Sequence, residues 1–261
     1  MRFVVKRLGL FVVALFGLSL LVFVLLRMLP GDVAAVIAGT NAAPERIASL
    51  RTELGLDKSY VAQYGDWMLG LLHGDLGVST IGGKAVSAQV ASRASVTFPL
   101  IIVSLLIALA IGLPLGCAAV LTRNARLRGL CHGIAIVAGA IPALWGGLLL
   151  ILLFSRGSGL LGLLPAQGFP DNGWGAPLQA LASLILPALA TGVTAGASIM
   201  RYTRAAVGDK ASSQAVDMAM ACGMTRKQAV LRVALRLATP QLVSVIGLTF
   251  AQMVTGVMVV E

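Results

Sequence analysis

Val96-Thr-Phe-Pro-Leu-Ile-Ile-Val-Ser-Leu-Leu-Ile-Ala-Leu-Ala-Ile-Gly-Leu-Pro-Leu-Gly-Cys-Ala-Ala-Val-Leu121 contains no Asp, Glu, Lys or Arg. A helix rises about 1.5 Å per residue and the hydrocarbon core of a bilayer is about 30 Å thick, so a run of this length crosses it. Four further charge-free stretches pass the same test: Leu8–Leu26, Gly129–Ser155, Leu178–Met200 and Gln241–Val260. Lipid offers no partner for backbone N–H and C=O groups, and the apolar residues do not alternate as in barrel strands, so these spans are helical. With 58% hydrophobic and 11% charged residues and a mean hydropathy of +0.93, the chain is too apolar for an ordinary soluble domain. The expected fold is an all-α polytopic membrane helix bundle with five spans.

A net charge of +10 invites a nucleic-acid reading, which the positions of the basic residues exclude. Arg2, Lys6 and Arg7 precede the first span, Arg123, Arg126 and Arg128 join the second to the third, and seven more lie between Arg201 and Arg236. Across the membrane from these, the segment from Asp32 to Arg93 has five basic and six acidic residues, and the segment from Arg156 to Pro177 has one of each. The positive-inside rule therefore puts the N-terminus and both basic loops in the cytoplasm. Residues 1–29 form the N-terminal tail and first span, residues 30–95 an extracytoplasmic segment, and residues 96–261 a four-span core containing a cytoplasmic loop, 201–239. The first apolar run is too long for a signal peptide, and no small-residue cleavage pattern follows it. Cys117, Cys131 and Cys222 have no metal-ligand spacing and form no disulfide framework.

Within the outer segment, Pro44 at a helix start, Ile47, Leu50 and Leu54 on one face and Gly55 as C-cap predict a short helix. A second carries Val61, Tyr64, Trp67, Met68 and Leu71 and ends before Gly74, with Tyr64 and Trp67 suited to the headgroup level. Both are expected to pack as a cap over the spans. Pro99, Pro114, Pro142 and Pro187 fall inside spans, where each removes a backbone donor and kinks the helix. Gly133, Gly139, Gly146, Gly147, Gly192 and Gly196 permit close helix packing or a narrow passage. Ser104, Thr249 and Gln252 either face such a passage or bond a neighbouring backbone, the second being the commoner arrangement.

The loop from Arg201 to Pro240 holds Ser213-Gln-Ala-Val-Asp-Met-Ala-Met-Ala-Cys-Gly-Met-Thr-Arg-Lys-Gln228. Its spelling predicts two helices with a sharp joint. Ser213 caps the first, Gly223 supplies the left-handed residue that ends it, and Met224 folds back on Ala219. Thr225 and Gln228 then make a capping box, so a second helix starts at once and runs through Leu235 toward Pro240. Ala211, Ala215 and Ala219, four apart, form a face of minimal side chains that another protein can approach closely, with Asp217 beside it.

Here the sequence resembles the inner-membrane permeases of dipeptide, oligopeptide and nickel ABC importers. Asp217-Met-Ala-Met-Ala-Cys-Gly223 sits where that family has its E-A-A-x-x-x-G type coupling motif, and Arg232-Val-Ala-Leu-Arg-Leu-Ala-Thr-Pro240 resembles the tail that follows. Leu26-Arg-Met-Leu-Pro-Gly-Asp32, Leu54-Gly-Leu-Asp57, Gln63-Tyr64, Trp67 and Gly74-Asp-Leu-Gly-Val-Ser79 match in order upstream, as do Ile141-Pro-Ala-Leu-Trp145, Leu164-Pro-Ala166 and Ile185-Leu-Pro-Ala188 further on. Asp217 replaces the motif's Glu, Met218 its first Ala, and Val33 stands where a Pro usually follows Gly-Asp. The family continues beyond a pair like Val260-Glu261 into a sixth span, so a longer chain is expected.

The resemblance implies a bacterial inner-membrane subunit that pairs with a similar permease, sits on two cytoplasmic ATPase subunits and receives solute from an extracytoplasmic binding protein. It implies ATPase coupling through Ala215, Asp217, Ala219, Gly223, Met224, Thr225 and Arg226, and a pathway flanked by the kinks at Pro114, Pro142 and Pro187. It implies no cofactor on this chain, with ATP and Mg on the partner subunits. The residues agree on energy supply: there is no G-x-x-x-x-G-K-[ST] loop, and Gly82-Gly-Lys-Ala85 lacks both its spacing and its hydroxyl. An intramembrane enzyme would need a nucleophile with a base, or a metal cluster, but His73 and His132 are isolated and neither H-E-x-x-H nor G-x-S-x-G occurs. An ion-coupled carrier would place ionisable residues in its spans, and these have none.

Overall fold

The computed structural model describes the chain except residues 1, 29–30, 40–41, 80–82, 158, 166–167, 171 and 261, and except the side chains of residues 125, 127–128, 131–132 and 258–260. Sequence expectations resting on Pro30, Gly82, Ala166, Asp171 and Glu261, or on the side chains of Arg128, Cys131, His132 and Val260, lie outside the described residues. The chain forms two compact units, Met1–Ser92 and Arg93–Glu261.

The first unit contains α1 (Arg2–Met28), α2 (Val33–Ala38), α3 (Pro44–Glu53) and α4 (Tyr60–Leu72). Helix α1 buries no residue, and Leu8, Phe11 and Leu15 are among its many exposed apolar side chains, as a lipid-facing span requires. A tether to α4 is centred on Tyr64, whose hydroxyl lies 2.8 Å from Ser19 Oγ and whose ring meets Phe16 and Phe23 edge-on at 5.9 and 5.3 Å. Tyr64 is thus an anchor for the first span rather than a free interfacial ring. Gly55 (φ +63) and Gly74 (φ +81) end α3 and α4 in the left-handed conformation that lacks a Cβ penalty. In each case the residue after the glycine donates back across the last turn, Leu56 N–H to Arg51 O and Asp75 N–H to Gly70 O, both 2.9 Å. Helix α2 was not legible from pattern. Asp32 caps it by accepting from Ala34 N–H at 3.0 Å, and Val33 occupies its first position, where proline is favoured but not required.

The second unit is built on α5 (Val86–Leu121, from Arg93 onward), α6 (Ala125–Ala140), α7 (Ala143–Phe154), α8 (Pro177–Ala211), α9 (Gln214–Ala221), α10 (Arg226–Ala229) and α11 (Leu235–Val260). Helix α8 is its axis, packed by α6, α7 and α11. It also crosses α5 along a seam of glycines. A methyl group at Gly112 would lie 2.7 Å from Ile199 Cγ2, one at Gly116 2.6 Å from Thr203 Cβ, and one at Gly192 2.9 Å from Ser104 O. The backbones meet because those side chains are absent, as helix pairs in lipid associate through close packing rather than hydrophobic exclusion.

Among the described residues, four single helices and one bent pair are long and apolar enough to cross a membrane. Of the prolines expected to kink, Pro99, Pro114 and Pro187 sit inside unbroken helices, whereas Pro142 breaks its span. The apolar run 129–155 becomes α6 and α7, bent by 96°. Ile141 is extended (φ −75, ψ 120), the conformation favoured before a proline, and the helix stops there. Two boundaries also differ from expectation. Arg201–Ala211 is the last part of α8, not loop, and the helix after the capping box runs through Pro240 to Val260 as α10, a π-helical turn (Val230–Ala234) and α11. Pro240 is exposed, so the carbonyl it leaves without a donor is not sealed in the core.

Candidate functional site

Two places in the second unit gather the residues that the sequence singled out. The first is the elbow from Ser212 to Ala234. Helix α9 is fixed by Val216, 1% exposed, which enters a cluster with Ala206, Val207, Ala229, Val230 and Ala234. Its end is a full Schellman motif: Gly223 has φ +92, Gly223 N–H donates to Met220 O at 2.9 Å and Met224 N–H to Ala219 O at 3.1 Å. The next helix opens on a complete capping box, Gln228 N–H to Thr225 Oγ1 at 3.3 Å and Thr225 N–H to Gln228 Oε1 at 3.0 Å. Both devices stand as the spelling predicted.

Two details differ. Ser213 occupies the N-cap position with extended dihedrals, but its hydroxyl donates backward to Lys210 O at 2.6 Å, so only its carbonyl serves α9. The alanine face does not form as one surface either. Ala211 belongs to α8, beyond the Ser212–Ser213 break, and both it and Ala219 pack against the buried cluster. Helix α9 exposes Gln214, Ala215, Asp217, Met218, Met220 and Ala221, with Met218 at 73%. Arg226 is exposed at the start of α10.

The second place is a cleft of 380 Å³ between the α6–α7 break, α8 and α11. Gly139 and Ala143 flank it on either side of Pro142; Thr191, Thr194, Ser198 and Arg201 line it from α8, and Thr249 and Gln252 from α11. Pro187 contributes through its carbonyl, which accepts from Thr191 Oγ1 at 2.9 Å. Pro114 is exposed on α5 and does not border the cleft, so the three prolines are not gathered in one place. Ser104 is fully buried and bonded to Leu100 O and Thr191, which removes it from any passage. Thr249 donates to Val245 O at 2.9 Å while bordering the cleft, and Gln252 is exposed to it. Arg201 Nη2 donates to Ser198 Oγ at 3.3 Å, and the guanidinium lies 3.5–3.7 Å from where Gly139 would carry a Cβ. From charge counting alone, Arg201 carries only a topology signal. Its signal was the spacing Thr191, Thr194, Ser198, Arg201, a polar stripe on one face of an otherwise apolar helix. Among the described residues no three His, Cys, Asp or Glu side chains come together as a metal site needs.

This architecture has known relatives. Residues 108–261 match the family described as "Binding-protein-dependent transport system inner membrane component", and residues 1–100 match the N-terminal region defined for such membrane components. The chain is 33% identical over 281 residues to the dipeptide transport system permease protein DppB of Escherichia coli (strain K12), covering 100% of this chain and 83% of that protein. It is 35% identical over 261 residues to the glutathione transport system permease protein GsiC of Escherichia coli O6:H1, covering 100% of this chain and 81% of that protein. In these systems ATP hydrolysis belongs to separate ATPase subunits. The chain belongs to the family of binding-protein-dependent transport system inner membrane components, as a permease subunit of an ABC importer.

Proposed function

We propose that this permease imports peptides, with its N-terminus and the elbow in the cytoplasm. In the bacterial inner membrane it pairs with a second, similar permease on two cytoplasmic ATPase subunits that carry ATP and Mg, and it takes solute from an extracytoplasmic binding protein. Peptide is favoured over a nickel chelate because the two relatives named above are described as permease proteins of a dipeptide and a glutathione transport system. The orientation rests on the basic residues before α1, between α5 and α6, and from Arg201 to Arg236.

The observation that carries the coupling role is the anchoring of α9. Eight residues long, it is held at its end by the Schellman motif, abutted by the capping box and pinned by Val216 to the same cluster as α8 and the π turn. A push on its exposed face, where Ala215, Asp217 and Met218 stand, is therefore passed to α8 and α11 rather than absorbed by a loop. Ala219, Gly223, Met224 and Thr225 hold the geometry, and Arg226 presents a charge beside it. Closure of the ATPase pair on ATP would move the spans between inward- and outward-open states through this contact. The test is Gly223→Val. A β-branched residue at φ +92 costs roughly 1–3 kcal/mol and distorts the joint. Solute uptake and solute-stimulated ATP hydrolysis should fall severalfold while membrane insertion is unchanged; full uptake by the variant would take the elbow out of the mechanism.

A further inference from the structure

We infer that Arg201, with Ser198 beside it, forms a carboxylate-binding station in the cleft that recognises the acidic end of the transported solute. The inference rests on the peptide-importer reading and adds to it a residue and a chemical preference.

Arg201 is the first charge after the uncharged stretch Leu178–Met200; it is exposed, and it borders the cleft. The described carboxylates of the second unit are Asp209 and Asp217, and neither lines the cleft. Asp209 lies two turns further along α8, about 12 Å by helical rise, and pairs with Lys210 at 2.9 Å. Asp217 is exposed on α9. Among the described residues no ion pair involves Arg201.

The surroundings leave its planar fork available. Gly139 lets the guanidinium lie over bare backbone, and Ser198 Oγ accepts from one nitrogen, which fixes the plane. A guanidinium carries five N–H donors in a geometry that matches a carboxylate two-to-two, so an anion arriving in the cleft finds a preset partner. A cleft of 380 Å³ lies in the ordinary range of small-molecule sites, about 300–1,000 Å³. Around it, Thr194 and Gln252 offer polar groups to a peptide backbone, while Leu248 and Met253 offer apolar surface to its side chains. A free peptide supplies the matching anion at its C-terminus.

The experiment uses the importer assembled with its ATPase subunits, second permease and binding protein in liposomes. Ala195→Cys reports on the cleft from α8, and Leu248→Cys from α11, each with Cys131 and Cys222 replaced by serine. Millimolar alanylalanine should slow maleimide labelling of these cysteines severalfold, whereas its C-terminal amide should not. Arg201→Gln should abolish the protection and lower alanylalanine uptake about tenfold, the loss expected when one charge-assisted contact is removed; Arg201→Lys should keep part of both. Co-purification of the ATPase subunits in equal yield shows that the variants assemble. Equal protection by the acid and the amide, or protection that survives Arg201→Gln, overturns the inference. So does protection that follows the content of anionic lipid and ignores the dipeptide, which would make a headgroup the occupant. Absence of protection in an importer that still takes up dipeptide also overturns it, leaving the peptide reading intact. An assembly that takes up no peptide removes the peptide reading itself.

Discussion

The hydroxyls of Ser104 on α5 and Thr191 on α8 lie 2.7 Å apart, at a crossing where Gly192 rests on Ser104 O and Gly196 on Ala108. Polar bridge and bare backbone occupy the same contact. Each hydroxyl also has a local carbonyl within donating distance, Leu100 O for Ser104 and Pro187 O for Thr191, so one hydroxyl donates across the contact while the other donates locally, and neither depends wholly on the other.

That redundancy sets the ranking of substitutions at the seam. Ser104→Ala should cost only about 0.6 kcal/mol, the size typical of a side-chain hydrogen bond between membrane helices. Gly112→Ala and Gly116→Ala place a methyl group 2.6–2.7 Å from Ile199 or Thr203, and overpacking of this kind costs about 1–3 kcal/mol. Unfolding of the purified protein in detergent, followed by helix loss, should order the variants in this way. A Ser104→Ala variant less stable than Gly116→Ala would refute the ranking.

At the elbow, Thr225→Ala removes one half of the capping box and should destabilise the joint by about 1 kcal/mol. Thr225→Ser keeps the acceptor and should restore it. Solute-stimulated ATP hydrolysis by the assembled importer is the readout; its basal rate, set in the ATPase subunits, should be unchanged in both.

Pro142 predicts a distance. With Ala at this position the chain regains a donor and loses the roughly 3 kcal/mol obstacle to a continuous helix, so the 96° bend should relax toward a straight span. Spin labels at Ile134→Cys and Leu149→Cys, both exposed, would move to about 22 Å apart at the backbone if straight, by helical rise, and stay about a third closer if bent. An unchanged distance in Pro142→Ala would mean that α8 packing, not the proline, fixes the bend.

In the first unit, Asp32 and Arg51 meet at 2.6 Å and join the cap of α2 to α3. The Arg51 hydrogen bond is the largest influence holding the Asp32 carboxyl below its ordinary value, with the Ala34 N–H assisting. A carboxyl lowered in the folded state stabilises it at all pH above its unfolded value, and the contribution fades as pH falls through the lowered folded value. Hydrogen-exchange protection of residues 33–38 should therefore be flat near neutrality and drop only on the acid side of the usual carboxylate range. In Asp32→Asn that drop should vanish; an acid transition persisting there would assign it to another group.

The spans and the elbow were legible because their signals are local. A charge-free run needs no tertiary context to be read as a crossing, and Gly223, Thr225 and Gln228 act within one or two turns. What could not be read depends on distant partners. Ala211, Ala215 and Ala219 have helical spacing, yet the chain breaks at Ser212–Ser213 and Val216 decides which side faces inward. Pro142 breaks its span while Pro114 and Pro187 do not, a difference that proline chemistry alone does not contain. Arg201 was set aside because charge counting treats every arginine alike, and only α6 and α11 show that this one borders a cleft.

The elbow ends in the turn in which Leu235 N–H reaches five residues back to Val230 O, and α11 leads from it to the cleft. Such a turn holds one residue more than the α-helical turn it replaces. Were it to tighten without losing that residue, everything on one side would swivel by about 100° against the other, the angle one helical residue subtends. Gln252 and Thr249 would rotate out of register with Arg201, so a compression at the α9 end can be translated into torsion of α11 rather than a rigid shove. Removing one residue at this turn, by contrast, would leave both flanks aligned and lock them together.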